Sequence, residues 1–469
     1  MNLPNLAFAS ITALALSACA VGPDFAAPTP RPAESGPFLS AASPAFTPAP
    51  LPADWWRMYD DPVLDGLVAD ALAANTDLRQ AVARIARARA GLRGVGADRL
   101  PSTQVGASGT YNRIPEIQTL PGLDREQWSV DAGLDVAYEV DLFGRVSRGV
   151  EAARADVAAA DADADAVRVI VVAETTRAYA DAAGTAARIA VARDIVELLD
   201  QSLGLTQRRY DEGFETGLAV ARIATLREQR AAEIPALEAI RAGALFRLAT
   251  LTGRAPAELP PIAGTRSMVL EITQALPVGD GAQLLARRPD IRAAERRLAA
   301  DTARIGVATA DLYPRISLGA QIGSTGPDIA DIFTGGPLRW LLGPLLSWTF
   351  PNNEAVRARI DAAEAGTQER LAAFDGTVLT ALRETETALA NYAGAIDRRR
   401  ALQQATVQAE RAAAIVRAQQ REGRINSLER LDAERTLAET RASLAAQDVL
   451  VSTGQIDLFR ALGGGWSAT

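Results

Sequence analysis

Cysteine and histidine supply most biological nucleophiles and metal ligands, and the 469 residues of this chain contain one cysteine, Cys19, and no histidine. The missing imidazole removes Ser-His-Asp and Cys-His nucleophile systems and His-ligated zinc, and a single thiol cannot build a cysteine cluster. Carboxylates, serines and tyrosines could still serve an acid-base enzyme, but no compact cleft-forming constellation of them is visible. No metal site is assigned and no catalytic residue is named. A net charge of −8 with no basic block excludes nucleic acid as a partner.

The chemistry of Cys19 is written in its context. Residues 6–16 form a short apolar run, followed by Leu16-Ser17-Ala18-Cys19, the order of a signal-peptide core and its small-residue cleavage site. The tetrapeptide resembles a bacterial lipobox, which implies removal of residues 1–18 and a diacylglycerol plus an N-acyl chain on Cys19, the only non-protein group expected. Ala20, rather than Asp, points to outer-membrane sorting. Residues 1–4 lack the basic residue usual at this end. Residues 19–52 are rich in proline, including Pro28, Pro30, Pro32, Pro37, Pro44, Pro48 and Pro50, which disfavours helix and predicts a lipidated tether.

Charge placement is the second chemical signal, and strands must position it. Trp128, Val130, Leu134, Val136, Tyr138 and Val140 alternate with Ser129, Asp131, Gly133, Asp135, Ala137, Glu139 and Asp141, so one face is apolar and the other carries four carboxylates. Strands are expected at about 102–113, 128–141, 315–324 and 338–350. Beyond the first twenty residues no stretch is apolar for the ~18 residues of a spanning helix. A membrane crossing therefore requires strands, with the apolar face to lipid and Asp131, Asp135, Glu139 and Asp141 to a wet lumen, where they would favour cations. Four strands cannot close a barrel, and open edges in lipid cost several kcal/mol per unpaired group. Two copies would give eight strands and a filled bore, whereas three give twelve and leave a channel.

The chain also repeats itself at an offset of roughly 210 residues. Each half runs from a helix ending at a proline (Pro101, Pro314) through two strands into a very long helix, over 145–211 and 353–422. A glycine turn near residue 213 or 423 then reverses the chain. The predicted organisation is a first repeat over 53–255, an equatorial linker over 256–281 and a second repeat over 282–469. At 1.5 Å per residue the long helices would each reach roughly 100 Å, and their closely spaced alanines suit coiled-coil walls.

Several ordered segments together resemble the TolC-like outer-membrane factor family, including the NodT-type efflux lipoproteins. They are Asp61-Pro62-Val63-Leu64, Tyr138-Glu139-Val140-Asp141-Leu142-Phe143-Gly144, Leu248-Ala249-Thr250-Leu251-Thr252-Gly253 and Arg287-Arg288-Pro289-Asp290-Ile291-Arg292-Ala293-Ala294-Glu295, the last continuing to Leu312-Tyr313-Pro314. The resemblance implies an α+β membrane protein, a homotrimer with a twelve-stranded outer-membrane β-barrel continued by a periplasmic α-helical barrel. It implies a passive export duct for drugs or other small molecules, docked to a periplasmic membrane-fusion adaptor and an inner-membrane pump of the resistance-nodulation-division type.

The same resemblance carries roles for residues at the helix returns. Glu429 and Asp432 match the acidic positions that ring a closed periplasmic pore, and residues three apart share a helix face. Arg222 stands at the corresponding place in the first half and is expected to pair with a carboxylate. Gly213, Gly217 and Gly423 fall at the tips where an adaptor would engage, glycine tolerating the positive φ of tight returns. Arg430 interrupts the acidic pair where an apolar residue is usual. The competing reading is a periplasmic coiled-coil lipoprotein, structural or adaptor, with no pore.

Overall fold

The computed structural model describes residues 20–119, 124–334, 338–422, 424–425 and 427–466. Its main elements are α1 (Pro62–Ala74), α2 (Thr76–Ala97), β1 (Ser102–Arg113), β2 (Glu126–Val140), α3 (Arg145–Asp211), α4 (Gly217–Ala231), α5 (Glu233–Leu251), α6 (Gly281–Arg287), α7 (Pro289–Ala310), β3 (Arg315–Gly326), β4 (Leu338–Ser347), α8 (Glu354–Arg421) and α9 (Ser427–Ala461). The order α2-β1-β2-α3-α4 recurs as α7-β3-β4-α8-α9, the duplication expected from the sequence. α3 and α8 run for 67 and 68 residues. Among the described residues no helix is long and apolar enough to cross a membrane.

Local chemistry sets the boundaries. Asp61 caps α1, its carboxylate accepting the N–H groups of Val63 and Leu64, with Pro62 in the first helical position. Asn75 ends α1 and its side-chain oxygen accepts the N–H of Asp77 and Leu78 at the start of α2. The return after the turn near Gly213 is two helices, α4 and α5, because Pro235 in the first turn of α5 has no N–H to continue the ladder across Ala232. Similarly, the extended Arg288 and Pro289 separate α6 from α7.

The described residues fall into two compact units, with one boundary after Pro28 and the others inside α2, α3, α7 and α8: the first is drawn from residues 20–28, 84–161 and 293–375, the second from residues 29–83, 162–292 and 376–466. The first unit holds the four-stranded antiparallel sheet, in the order β1-β2-β3-β4 with β1 and β4 at the edges. The second unit holds the main apolar core. There Trp55 stacks on Phe459 with ring centroids 4.6 Å apart, surrounded by Leu64, Val172, Tyr179, Leu248, Leu276 and Ile456. Each such side chain contributes about 1.5–3 kcal/mol by leaving water.

The proline-rich stretch departs from the free tether expected. Over residues 29–52 it is a strap packed on the second unit, with a helical turn at Pro32–Ser35, a 3₁₀ turn at Leu39–Ala42, and a two-residue parallel bridge from Phe46–Thr47 to Leu276–Pro277. Phe38, Phe46 and Leu51 enter the core, and the Glu386 carboxylate accepts the N–H groups of Leu39 (2.6 Å) and Ser40 (2.9 Å). Proline removes donors without preventing burial, so scattered apolar residues dock a segment that has no helical or strand period. The equatorial stretch is treated alike, Leu270, Ile272 and Leu276 being buried.

Candidate pore wall and helix tips

The sheet is amphipathic because the strand registers align residues of one parity. Asp135 pairs with Gln104 on β1 and Gln321 on β3, and Gln321 with Leu341 on β4. The whole polar face follows by twos: Ser102 to Asn112 on β1, Gln127 to Glu139 on β2, Arg315 to Thr325 on β3 and Arg339 to Ser347 on β4. The opposite face presents Val105, Tyr111, Trp128, Val130, Leu134, Val136, Ile316, Leu318, Ile322, Leu338, Trp340, Leu342 and Leu346. Ten of these thirteen are exposed in the single chain, an apolar surface that water does not favour and hydrocarbon does. The sequence pattern did not show that Leu341 and Leu345 interrupt the polar face of β4.

Three of the four expected lumen carboxylates are engaged locally. Asp131 accepts from Thr325 Oγ1 at 2.6 Å and from the Arg339 guanidinium. Glu139 is held bidentately by Arg145, at 2.7 Å from Nε and 2.6 Å from Nη2. Asp141 departs from the lumen role expected of it: it lies beyond β2 and serves as a helix cap, its carboxylate accepting the N–H groups of Val146 (2.9 Å) and Ser147 (2.7 Å). The left-handed Gly144, φ 78°, makes the turn that brings them together. Asp135 is exposed and, among the described residues, forms no ion pair.

Beneath the sheet the N-terminal segment has a built seat, which sequence reasoning missed. Arg148, nearly buried, donates to the carbonyls of Val21 (3.3 Å) and Gly22 (3.4 Å) and to Asp24 (2.6 Å), while Val21 N–H bonds to the carbonyl of Phe143 (3.2 Å). A Cβ on Gly22, at φ 91°, would lie 2.5 Å from Gly306 Cα, and one on Gly144 would lie 2.8 Å from Ala20 Cβ. Cys19 itself lies outside the described residues.

At the helix tips Glu429 and Asp432 are both exposed in the first turns of α9, and Asp432 lies 3.5 Å from Arg435. Arg430 points away from them into the protein, nearly buried against Glu434, Gln420 and Ser202. Arg222 is exposed on α4, where it lines an open groove with Leu218, Leu226, Leu431 and Arg435. The carboxylate partner expected for it is not found among the described residues. Gly213 is left-handed, φ 83°, and lets Phe214 N–H return to Arg209 O at 2.7 Å. Gly217 has no such conformation and opens α4 behind the Thr216 cap. Gly423 lies outside the described residues.

Comparison with known proteins agrees with this architecture. The family model described as outer membrane efflux protein matches twice, over residues 67–254 and 281–464, one match per repeat. The chain is 33% identical to outer membrane protein OprJ of Pseudomonas aeruginosa over 459 residues, 98% of this chain and 95% of that one. It is 30% identical to the antibiotic efflux pump outer membrane protein ArpC of Pseudomonas putida, over 97% and 95% of the two chains. The solved outer-membrane channel OprN superposes with a TM-score of 0.89 at 36% identity, over 96% of this chain and all of that one. CusC superposes with a TM-score of 0.83 at 26% identity, over 95% and all of the respective chains. An amphipathic four-stranded sheet, a duplicated pair of very long helices and these relatives together place the chain in the TolC-like outer membrane efflux protein family, as a channel of the outer membrane and not an enzyme.

Proposed function

We propose that three copies of this chain close a twelve-stranded barrel and serve as the exit duct of a tripartite pump, fed through a periplasmic adaptor by a resistance-nodulation-division transporter. The observation that carries this reading is the sheet itself. One face is apolar along most of the strand length, ending at the Arg113–Glu126 ion pair, the other is largely polar, and both edges are open, so its backbone groups are satisfied in lipid only when copies join edge to edge. Lipid on Cys19 is the proposed anchor, supported by the lipobox-like Leu16-Ser17-Ala18-Cys19 and by the seat that holds residues 20–24.

The duct is proposed to be closed at rest by rings of Glu429 and Asp432 at the helix tips. Cargo is proposed to be small molecules chosen by the pump. ArpC is named for antibiotics and CusC for a cation efflux system, and such different cargo on one scaffold supports a duct that selects little. Single-channel conductance in planar bilayers tests the reading. A small conductance from the intact protein that rises in Glu429→Ala/Asp432→Ala supports a pore gated at the tips. No conductance from either protein, folded and inserted, would favour the non-pore coiled-coil reading.

A further inference from the structure

We propose that Asp135 is the residue that sets ion selectivity in the barrel lumen, as the one carboxylate per chain whose charge is left uncancelled there. The inference rests on the trimeric-channel reading, with the polar face of the sheet turned inward. Five charged side chains lie on that face: Asp131, Asp135, Glu139, Arg315 and Arg339. Arg339 is bound to Asp131, Glu139 to Arg145 at 2.6 Å, and Arg315 to Asp311 at 3.2 Å. At the inner rim, Asp141 caps α3 and Arg359 lies 3.3 Å from Asp311. The rim groups Glu139, Asp141, Asp311, Arg145, Arg315 and Arg359 therefore cancel one another.

The glycines explain why Arg339 serves Asp131. Gly106, Gly133 and Gly323 form a row across the sheet, and Arg339 is the next residue in that row. With no side chains beside it, the guanidinium reaches across the row, its Nη2 4.0 Å from where a Gly133 Cβ would be. Its Nε meets Thr325 Oγ1 at 2.9 Å and its Nη2 meets the Asp131 carboxylate. The two bonds draw it outward along the lumen. In the row on the inner side, Asp135 is flanked by the uncharged Gln104 and Gln321. Three copies would set three such carboxylates around the middle of the bore, a fixed negative field that raises the local cation concentration.

Reversal potentials under a potassium chloride gradient test this, in bilayers carrying the intact protein and, separately, Glu429→Ala/Asp432→Ala, so that tip and barrel contributions are separated. The salt should be low, about 10 mM, where the Debye length is about 30 Å and fixed charge acts across a wide bore. Asp135→Asn should lower the potassium-to-chloride permeability ratio by roughly threefold or more, and Asp135→Arg should invert it. Arg339→Gln, which uncovers Asp131, should raise the ratio, whereas Asp131→Asn/Arg339→Gln, which removes a cancelled pair, should leave it unchanged. A conducting Asp135→Asn channel with an unmoved reversal potential in both tip backgrounds overturns the proposal while leaving the channel reading intact. Absence of conductance from every protein would count against the channel reading itself.

Discussion

Arg430 and Glu434 face each other one turn apart on α9, Nε to Oε1 at 2.9 Å, with side chains 8% and 5% exposed. The pair is a junction of three helices. Glu434 also accepts from Ser202 Oγ of α3 at 2.6 Å, and Arg430 Nη1 donates to Gln420 of α8 at 2.6 Å. Arg430 stands between the two proposed gate carboxylates in sequence, yet its burial removes it from their surface and anchors the turn that presents them.

Removing one partner of a buried pair costs about 3–5 kcal/mol when nothing else compensates the remaining charge, whereas replacing both with apolar residues can be near neutral; Arg417 Nε, 3.5 Å from Glu434, offsets part of that cost here. Arg430→Met should therefore lower the thermal midpoint clearly, and Arg430→Met/Glu434→Met should recover most of the loss. Melting curves of the purified trimers would show this. Equal losses in both variants would mean that the charge left behind by the single substitution carries none of the cost.

All 49 basic residues of the chain are arginine, and Arg148 shows the use of a planar donor with five N–H groups. One side chain spans Val21, Gly22, Asp24 and Glu151. Arg148→Met should release the N-terminal segment, so that proteinase K cuts within residues 20–28 at least about tenfold faster. Mass spectrometry of the digest reads the outcome, and an unchanged rate would assign the hold to the glycine contacts.

The two tip glycines should separate. At Gly213, φ 83°, a β-branched side chain is strained, so Gly213→Val should cost about 1–3 kcal/mol. At Gly217 a Cβ would meet the Tyr210 ring at an ordinary 3.6 Å in helical backbone, so Gly217→Ala should be neutral or slightly stabilising. Chemical denaturation of the two variants tests the difference.

Burial, followed by its hydrogen bond to Asp61 (2.9 Å), pushes the Tyr179 hydroxyl well above its ordinary range, and burial raises Tyr59 and Tyr392 as well. The folded state thus holds these protons after an unfolded tyrosine, with pKa about 10, would lose them. With more protons bound to the native state, stability is fully present below pH ~10 and is lost as pH rises towards the folded values. Thermal midpoints should fall between pH ~9.5 and ~11.5, and Tyr179→Phe should flatten part of that fall while lowering the midpoint at neutral pH. An identical alkaline slope in the variant would show that Tyr179 does not contribute.

The sequence by itself determined whatever is encoded within a few residues. Strand β2 is legible because its apolar and polar residues alternate, and α3 because its residues 145–211 run unbroken to the turn at Gly213. The duplication is legible because the same order of prolines, strands and glycine turns recurs. Only the tertiary structure decided which charges survive. Asp131 and Arg339 are 208 residues apart and Ser202 and Glu434 are 232 apart, and no local pattern announces either contact. The four carboxylates near the end of β2 look alike in sequence, yet one binds an arginine across the sheet, one binds an arginine at the helix start and one caps α3. Asp135 differs from them only in what the strand registers place beside it, two glutamines, because pairing between distant strands sets the neighbours of a side chain while the chain itself sets only the face it points to.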